Sequence, residues 1–231
     1  MNDARVSRPI PLALTMLVAF FAALTALAVS NGHDAHAHGT PAAHAASISP
    51  AEAALHSGMR VLWEDHITWT RLAIISLSSG SPDTTATVGR LLRNQVDIGN
   101  AVKPYYGKAA GNALTAELRK HILIAADVIA AAKAGDQAKL ADAQARWQSN
   151  ANDIAALLAS VNPRYWKVAR LKSEMSKHLA LTTQEAVARL QGRWAADVAA
   201  YDRVHRHILH MSDLLADGIV EQFPNRFRDA G

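Results

Sequence analysis

Residues 66–83 read HITWTRLAIISLSSGSPD, and the way this stretch ends decides the fold. Fourteen positions after His66 comes Gly80, followed by Ser81, Pro82 and Asp83. Glycine ends a helix by taking up a left-handed conformation, and a proline just beyond cannot continue it. The stretch is therefore the close of one helix and the turn into the next. The same punctuation recurs, because His121 precedes Gly135, and His178 precedes Gly192, by the same 14 positions. The three histidines lie 55 and 57 residues apart. Each unit then closes in proline followed by aromatics: Pro104-Tyr105-Tyr106, Pro163-Arg164-Tyr165-Trp166 and Pro224-Asn225-Arg226-Phe227.

Between these marks the chain is rich in Ala, Leu, Lys, Arg, Glu and Gln, all good helix formers, and lacks strand-like alternation. The intervals from Gly to Pro are 24, 28 and 32 residues, so each unit grows by four, close to one helical turn. A recurring period of this length signals a repeat architecture. The pattern predicts helices near 51–78, 83–103, 109–133, 137–160, 165–190 and 194–222. Short loops make neighbouring helices antiparallel. The expected fold is an all-α, six-helix bundle over 51–227, built from three hairpins at about 51–107, 108–164 and 165–227.

What precedes the bundle reads differently. Arg5 and Arg8 stand before an uncharged run from Leu12 to Val29 that ends in Ser30-Asn31-Gly32. A positive start, an apolar stretch and small residues at a cleavage point describe an export signal over 1–30. Its length approaches that of a spanning helix, so an uncleaved membrane anchor is the alternative. Either way the working part is expected outside the cytoplasm, periplasmic in a bacterial setting. Residues 31–50 carry His33, His36, His38 and His44 among Gly, Pro, Ala and Ser, the composition of a flexible tether. Neutral imidazoles bind zinc, copper and nickel. Cleavage after Ser30 would also leave Asn31-Gly32-His33 as a square-planar nitrogen set for Cu(II) or Ni(II). The plainer reading is a soluble spacer.

Composition excludes several classes. The 231 residues include no cysteine, which removes disulfides, thiolate metal sites and cysteine nucleophiles. The formal charge of +4 is spread along the chain, so no basic stripe for nucleic acid exists. No phosphate-binding glycine loop, nucleophile elbow or dinucleotide fingerprint is present.

The candidate site lies within the repeats. Met59, Leu114 and Leu171 stand seven before the repeated histidines, and Trp69, Ile124 and Leu181 stand three after, which shares one helix face. His66, His121 and His178 should thus point inward. Residues equally far from a loop meet across antiparallel helices, which brings Asn94, Ser149 and Arg206 opposite. Asn150 and His207 adjoin the last two, and Asp97, Asp153 and His210 lie one turn on. Glu117 and Glu174 precede their histidines by four. A di-iron bundle site uses Glu-x-x-His, which this spacing does not match. A mononuclear zinc or copper centre using these histidines with Glu117, Glu174 or Asp97 is chemically reasonable. Two readings compete with it: hydrogen-bonded core histidines within a structural or protein-interaction module, and a pH-responsive core. The five tryptophans are expected to pack with their N–H groups paired.

The strings LWEDHITWTRLAIIS, LLRNQVDIGNAVKPYYG, KHILIAADVIAAAKAGD and DGIVEQFP resemble an uncharacterised bacterial family of exported or anchored all-helical proteins, over about residues 55–227. Some relatives bear the label acetylglutamate kinase, which this sequence does not support. The resemblance implies a helical fold and carries over no active-site residue.

Overall fold

The computed structural model describes residues 48–228, and every regular element among them is helical. The export segment and residues 31–47 of the expected tether, with His33, His36, His38 and His44, lie outside the described residues, while Ser49 and Pro50, expected in the tether, begin the first helix. No helix among those described is long and apolar enough to cross a membrane. The helices are α1 (Pro50–Ser79), α2 (Thr84–Ala134), α3 (Gln137–Val161), α4 (Val168–Leu190) and α5 (Trp194–Gln222), with a closing 3-10 turn at Pro224–Arg226. Ser49 caps α1 by accepting from the Glu52 N–H at 3.1 Å, with Pro50 in the first turn. Such a side-chain acceptor satisfies an otherwise orphaned donor.

Gly80, Gly135 and Gly192 all turn the chain, at φ of 70°, 70° and 68°. At each, the residue after the glycine donates its N–H five positions back: Ser81 to Ser76 at 3.0 Å, Asp136 to Ala131 at 3.1 Å and Arg193 to Ala188 at 2.9 Å. This is the glycine helix-stop expected of these positions.

The helix count is five, where six were expected. No loop separates residues 103 and 109, because the helical pattern runs through Pro104 and only Gly107, at φ 84° and ψ 168°, leaves it. That one residue still reverses the chain. Arg119 Nη1 donates to the Leu92 carbonyl at 3.2 Å, and Gly99 and Gly111 pack backbone to backbone. In a straight helix Gly99 and Gly111 would stand about 18 Å apart. A Cβ on Gly99 would come within 2.6 Å of the Gly111 carbonyl oxygen, and one on Gly111 within 2.5 Å of the Gly99 oxygen. Both glycines are needed for the two arms, 84–106 and 108–134, to touch.

Each helix packs on the next in sequence, and α5 returns to α1, closing the bundle. The closure carries polar contacts: Arg60 with Asp213, and His205 Nε2 with Glu64 at 2.7 Å. One end of the bundle gathers the proline–aromatic segments. Tyr106 lies 5.2 Å from Trp166 and 5.5 Å from Phe223 between ring centres, and Asn162 Nδ2 donates to the Gly218 carbonyl at 2.7 Å. Gly218 admits the Trp166 indole, whose Nε1 would lie 1.9 Å from an added Cβ. The tryptophans are less uniform than expected. Among the described contacts Trp147 pairs its N–H, Trp63 and Trp166 bury theirs without an acceptor, and Trp194 is 59% exposed.

Candidate functional site

Midway along the bundle, His66, His121, His178 and His207 are all buried. His178 on α4 is the hub, with ring centres 6.0 Å from His66, 6.0 Å from His121 and 6.3 Å from His207. The sequence places them there by helical spacing, and α1, α2, α4 and α5 each supply one.

Each histidine of the repeated set has a partner 29 residues later, across the turn. Gln95 Nε2 approaches His66 Nδ1 at 3.3 Å, Asn150 Oδ1 meets His121 Nδ1 at 2.8 Å, and His207 faces His178. A second contact accompanies each. Asn94 Nδ2 donates to the Leu62 carbonyl at 2.9 Å, Asn150 Nδ2 to the Glu117 carbonyl at 3.2 Å, and His207 Nε2 to the Glu174 carbonyl at 3.0 Å. Those carbonyls belong to the residues four before the three histidines.

The four imidazoles differ in what they have left to give. His121 has both nitrogens engaged, since Trp147 Nε1 donates to its Nε2 at 3.2 Å while Asn150 takes its Nδ1 proton. His207 must carry its proton on Nε2, so Nδ1 holds a lone pair, 3.7 Å from Glu174 Oε2 and without a hydrogen bond. Gln95 has two amide protons and also reaches the Leu91 carbonyl at 2.8 Å and Asn94 Oδ1 at 3.1 Å. Its approach to His66 is the longest of the three. His178 Nδ1 is buried with no hydrogen-bond partner among the described residues.

Burial holds these imidazoles neutral. It lowers the His66 pKa to about 3, with the neighbouring His121 adding to the effect, and that of His121 to about 4. Burial likewise pushes His178 well below its ordinary value, reinforced by His66, His121 and His207, and lowers His207. Removing a charge from water in a core is costly, so the neutral base, with its lone pair, is what persists. A core titrating near pH 6.5 is thereby replaced by one that resists protonation.

Beside the layer, on its aromatic side, lies a cavity of about 30 Å³ lined by His66, His121, His178 and Glu174. A water needs at least about 10–15 Å³ by this measure, so there is room for a water or two or one small ion. Drug-sized ligands need roughly 300 Å³ or more. The site can hold an ion and not a metabolite.

The other candidates fall elsewhere. Asp97 lies on the exposed face of α2, and Ile98 is buried beside it. His210 is exposed and only 3.8 Å from Glu174 Oε1, at the rim. Glu117 is partly exposed and engaged by Asn150 Nδ2 at 2.8 Å. Glu174, 17% exposed, borders both cavity and rim. No three His, Asp or Glu side chains among the described residues converge at metal-ligand distance.

A second buried polar group was not anticipated. Arg71 of α1 reaches Glu185 Oε1 on α4 at 3.0 Å and holds both oxygens of Asp197 on α5, which Arg189 also contacts at 3.3 Å. Burial raises Glu185 to about 7 despite Arg71. Glu185 stands seven residues after His178, on the same face, which is the one sequence signal for it.

Comparison with family models, curated proteins and solved structures gives no match.

Proposed function

We propose that this chain is an extracytoplasmic bundle of three duplicated helical hairpins that binds a transition-metal ion in its interior, beside His178, with the His-rich tether gathering ions at the surface. The observation that carries this reading is His178 Nδ1, buried without a partner among the described residues, in an imidazole beside a cavity of one-ion size. Leaving a buried polar atom unpaired costs about 1–3 kcal/mol, and a bound ion removes that cost. The neutral imidazoles suit the role, because a metal takes a deprotonated ligand. The duplication is supported by the recurrent partner spacing and by the three carbonyl contacts.

The test is calorimetric titration of the full chain with zinc, nickel and copper ions, alongside a variant with His33, His36, His38 and His44 all changed to alanine. One equivalent should bind to the tether variant and be lost in His178→Gln. Loss of all binding in the tether variant would confine metal chemistry to the tether.

The competing reading, a structural or protein-interaction module, draws on His121, whose nitrogens are both satisfied by protein. It also draws on Trp194 and Val198, 59% and 54% exposed one turn apart on α5.

A further inference from the structure

The metal reading leaves open which ion the interior prefers, and three thioethers bear on that choice. Of the five methionines in the chain, Met59, Met175 and Met211 lie within the described residues. All three are buried, and all three line the cavity beside the imidazole layer. Their positions follow from the helix period: Met59 is seven before His66, Met175 three before His178 and Met211 four after His207. Three separate helices therefore each contribute a methionine to the lining of the cavity that His178 also borders.

Ion chemistry separates the options. Zinc in a closed site wants four tetrahedral nitrogen, oxygen or thiolate ligands. The described residues offer no three converging His, Asp or Glu side chains, and the chain has no cysteine. Thioether sulfur is a soft donor that selects Cu(I) over harder divalent ions. Cu(I) is also content with two or three ligands, so a subset of the donors that line this cavity is enough.

We propose that the cavity is a Cu(I) site in which His178 supplies imidazole nitrogen and Met175 and Met211, each about one helical turn from the imidazole layer, supply thioether sulfur. Ag(I), of the same charge and softness, should bind in the same place. His121 stays outside the ligand set, because binding there would break two buried hydrogen bonds.

The proposal rests on the interior-metal reading, and its test separates the two. The full chain, with the four tether histidines changed to alanine, is loaded with Cu(I) against a bicinchoninate competitor, and in parallel titrated with zinc. The change of Met59, Met175 and Met211 to leucine conserves volume, and the melting temperature of the metal-free variant checks that it still folds. The expected result is one equivalent of Cu(I), with affinity lowered at least about tenfold in the methionine variant, the loss common even for residues that only orient a ligand. X-ray absorption of the Cu(I)-loaded parent should show sulfur at about 2.3 Å, a usual metal–sulfur length. Interior metal bound with nitrogen scatterers alone, and unchanged by the methionine variant, would overturn the Cu(I) assignment and leave the broader reading in place. No metal retained by the tether variant would overturn both.

Discussion

His121 and His178 occupy equivalent places in their helices, yet one is closed and the other open. Around His121, the α2–α3 pair supplies an acceptor to one nitrogen and a donor to the other. Around His178, the α4–α5 pair puts a second histidine where α3 puts an asparagine, and His178 Nδ1 is left without a partner among the described residues. A satisfied buried polar network fixes a core, whereas an incompletely satisfied one needs a reason. The difference separates a structural histidine from a candidate ligand inside one layer.

The largest expected effect lies outside the layer and calibrates it. Arg71→Met removes the cation that holds Glu185 and Asp197, leaving buried acid groups short of a partner. Breaking a buried pair in this way costs about 3–5 kcal/mol, readable as a fall in the denaturant midpoint. Glu185, whose pKa is raised to about 7 and which is therefore largely protonated only below that pH, should by contrast tolerate Glu185→Gln at pH 6.

The comparison itself is tested by substituting leucine at each histidine. His121→Leu strands Trp147 Nε1 and the Asn150 amide oxygen, and should cost about 2–4 kcal/mol at roughly 1–3 per buried group. His178→Leu strands nothing at Nδ1 and should shift metal-free stability by less than about 1 kcal/mol, while abolishing interior metal binding. Equal losses for the two would erase the distinction.

Acid sharpens it further. These histidines have folded pKa values below the unfolded value of 6.5, so the unfolded chain takes up more protons as pH falls. The histidine contribution is therefore full above pH 6.5 and declines below it, down to about 4 for His121 and about 3 for His66, while Glu185, raised from 4.5 to about 7, offsets one histidine's share over that interval. Each histidine contributes a slope of about 1.4 kcal/mol per pH unit. Chemical denaturation at pH 7, 6 and 5 should show that steepness, and His121→Gln should lessen it by one histidine's share. A flat profile would contradict neutral burial.

The smallest effect belongs to the misplaced candidate. Asp97→Ala, on the exposed face of α2, should leave stability within about 0.5 kcal/mol and metal binding unchanged.

That misplacement shows what the sequence makes legible. The glycine turns were readable because a left-handed stop leaves a residue-specific mark, and Gly80, Gly135 and Gly192 behave alike. The helix count was not, because proline normally ends a helix, whereas here Pro104 is accommodated and Gly107 alone reverses the chain. The inward histidines followed from periodicity. Their partners missed by one residue: Gln95, Asn150 and His207 each lie 15 positions past the glycine, not 14. One residue rotates a helix face by about 100°, which places Ile98 where Asp97 was expected. The Arg71 group joins three helices across more than 100 residues, and no local period announces such a contact.

The central claim, that His178 is an open ligand and His121 a closed support, is tested most directly by melting the full chain and its His178→Leu variant, each with chelator and with saturating Cu(I). The account predicts that the parent gains several degrees on Cu(I) addition, since a ligand at about 100 times its Kd adds roughly 2.7 kcal/mol. The variant should melt close to the metal-free parent and gain nothing. A rise of equal size in both, or in neither, would contradict it.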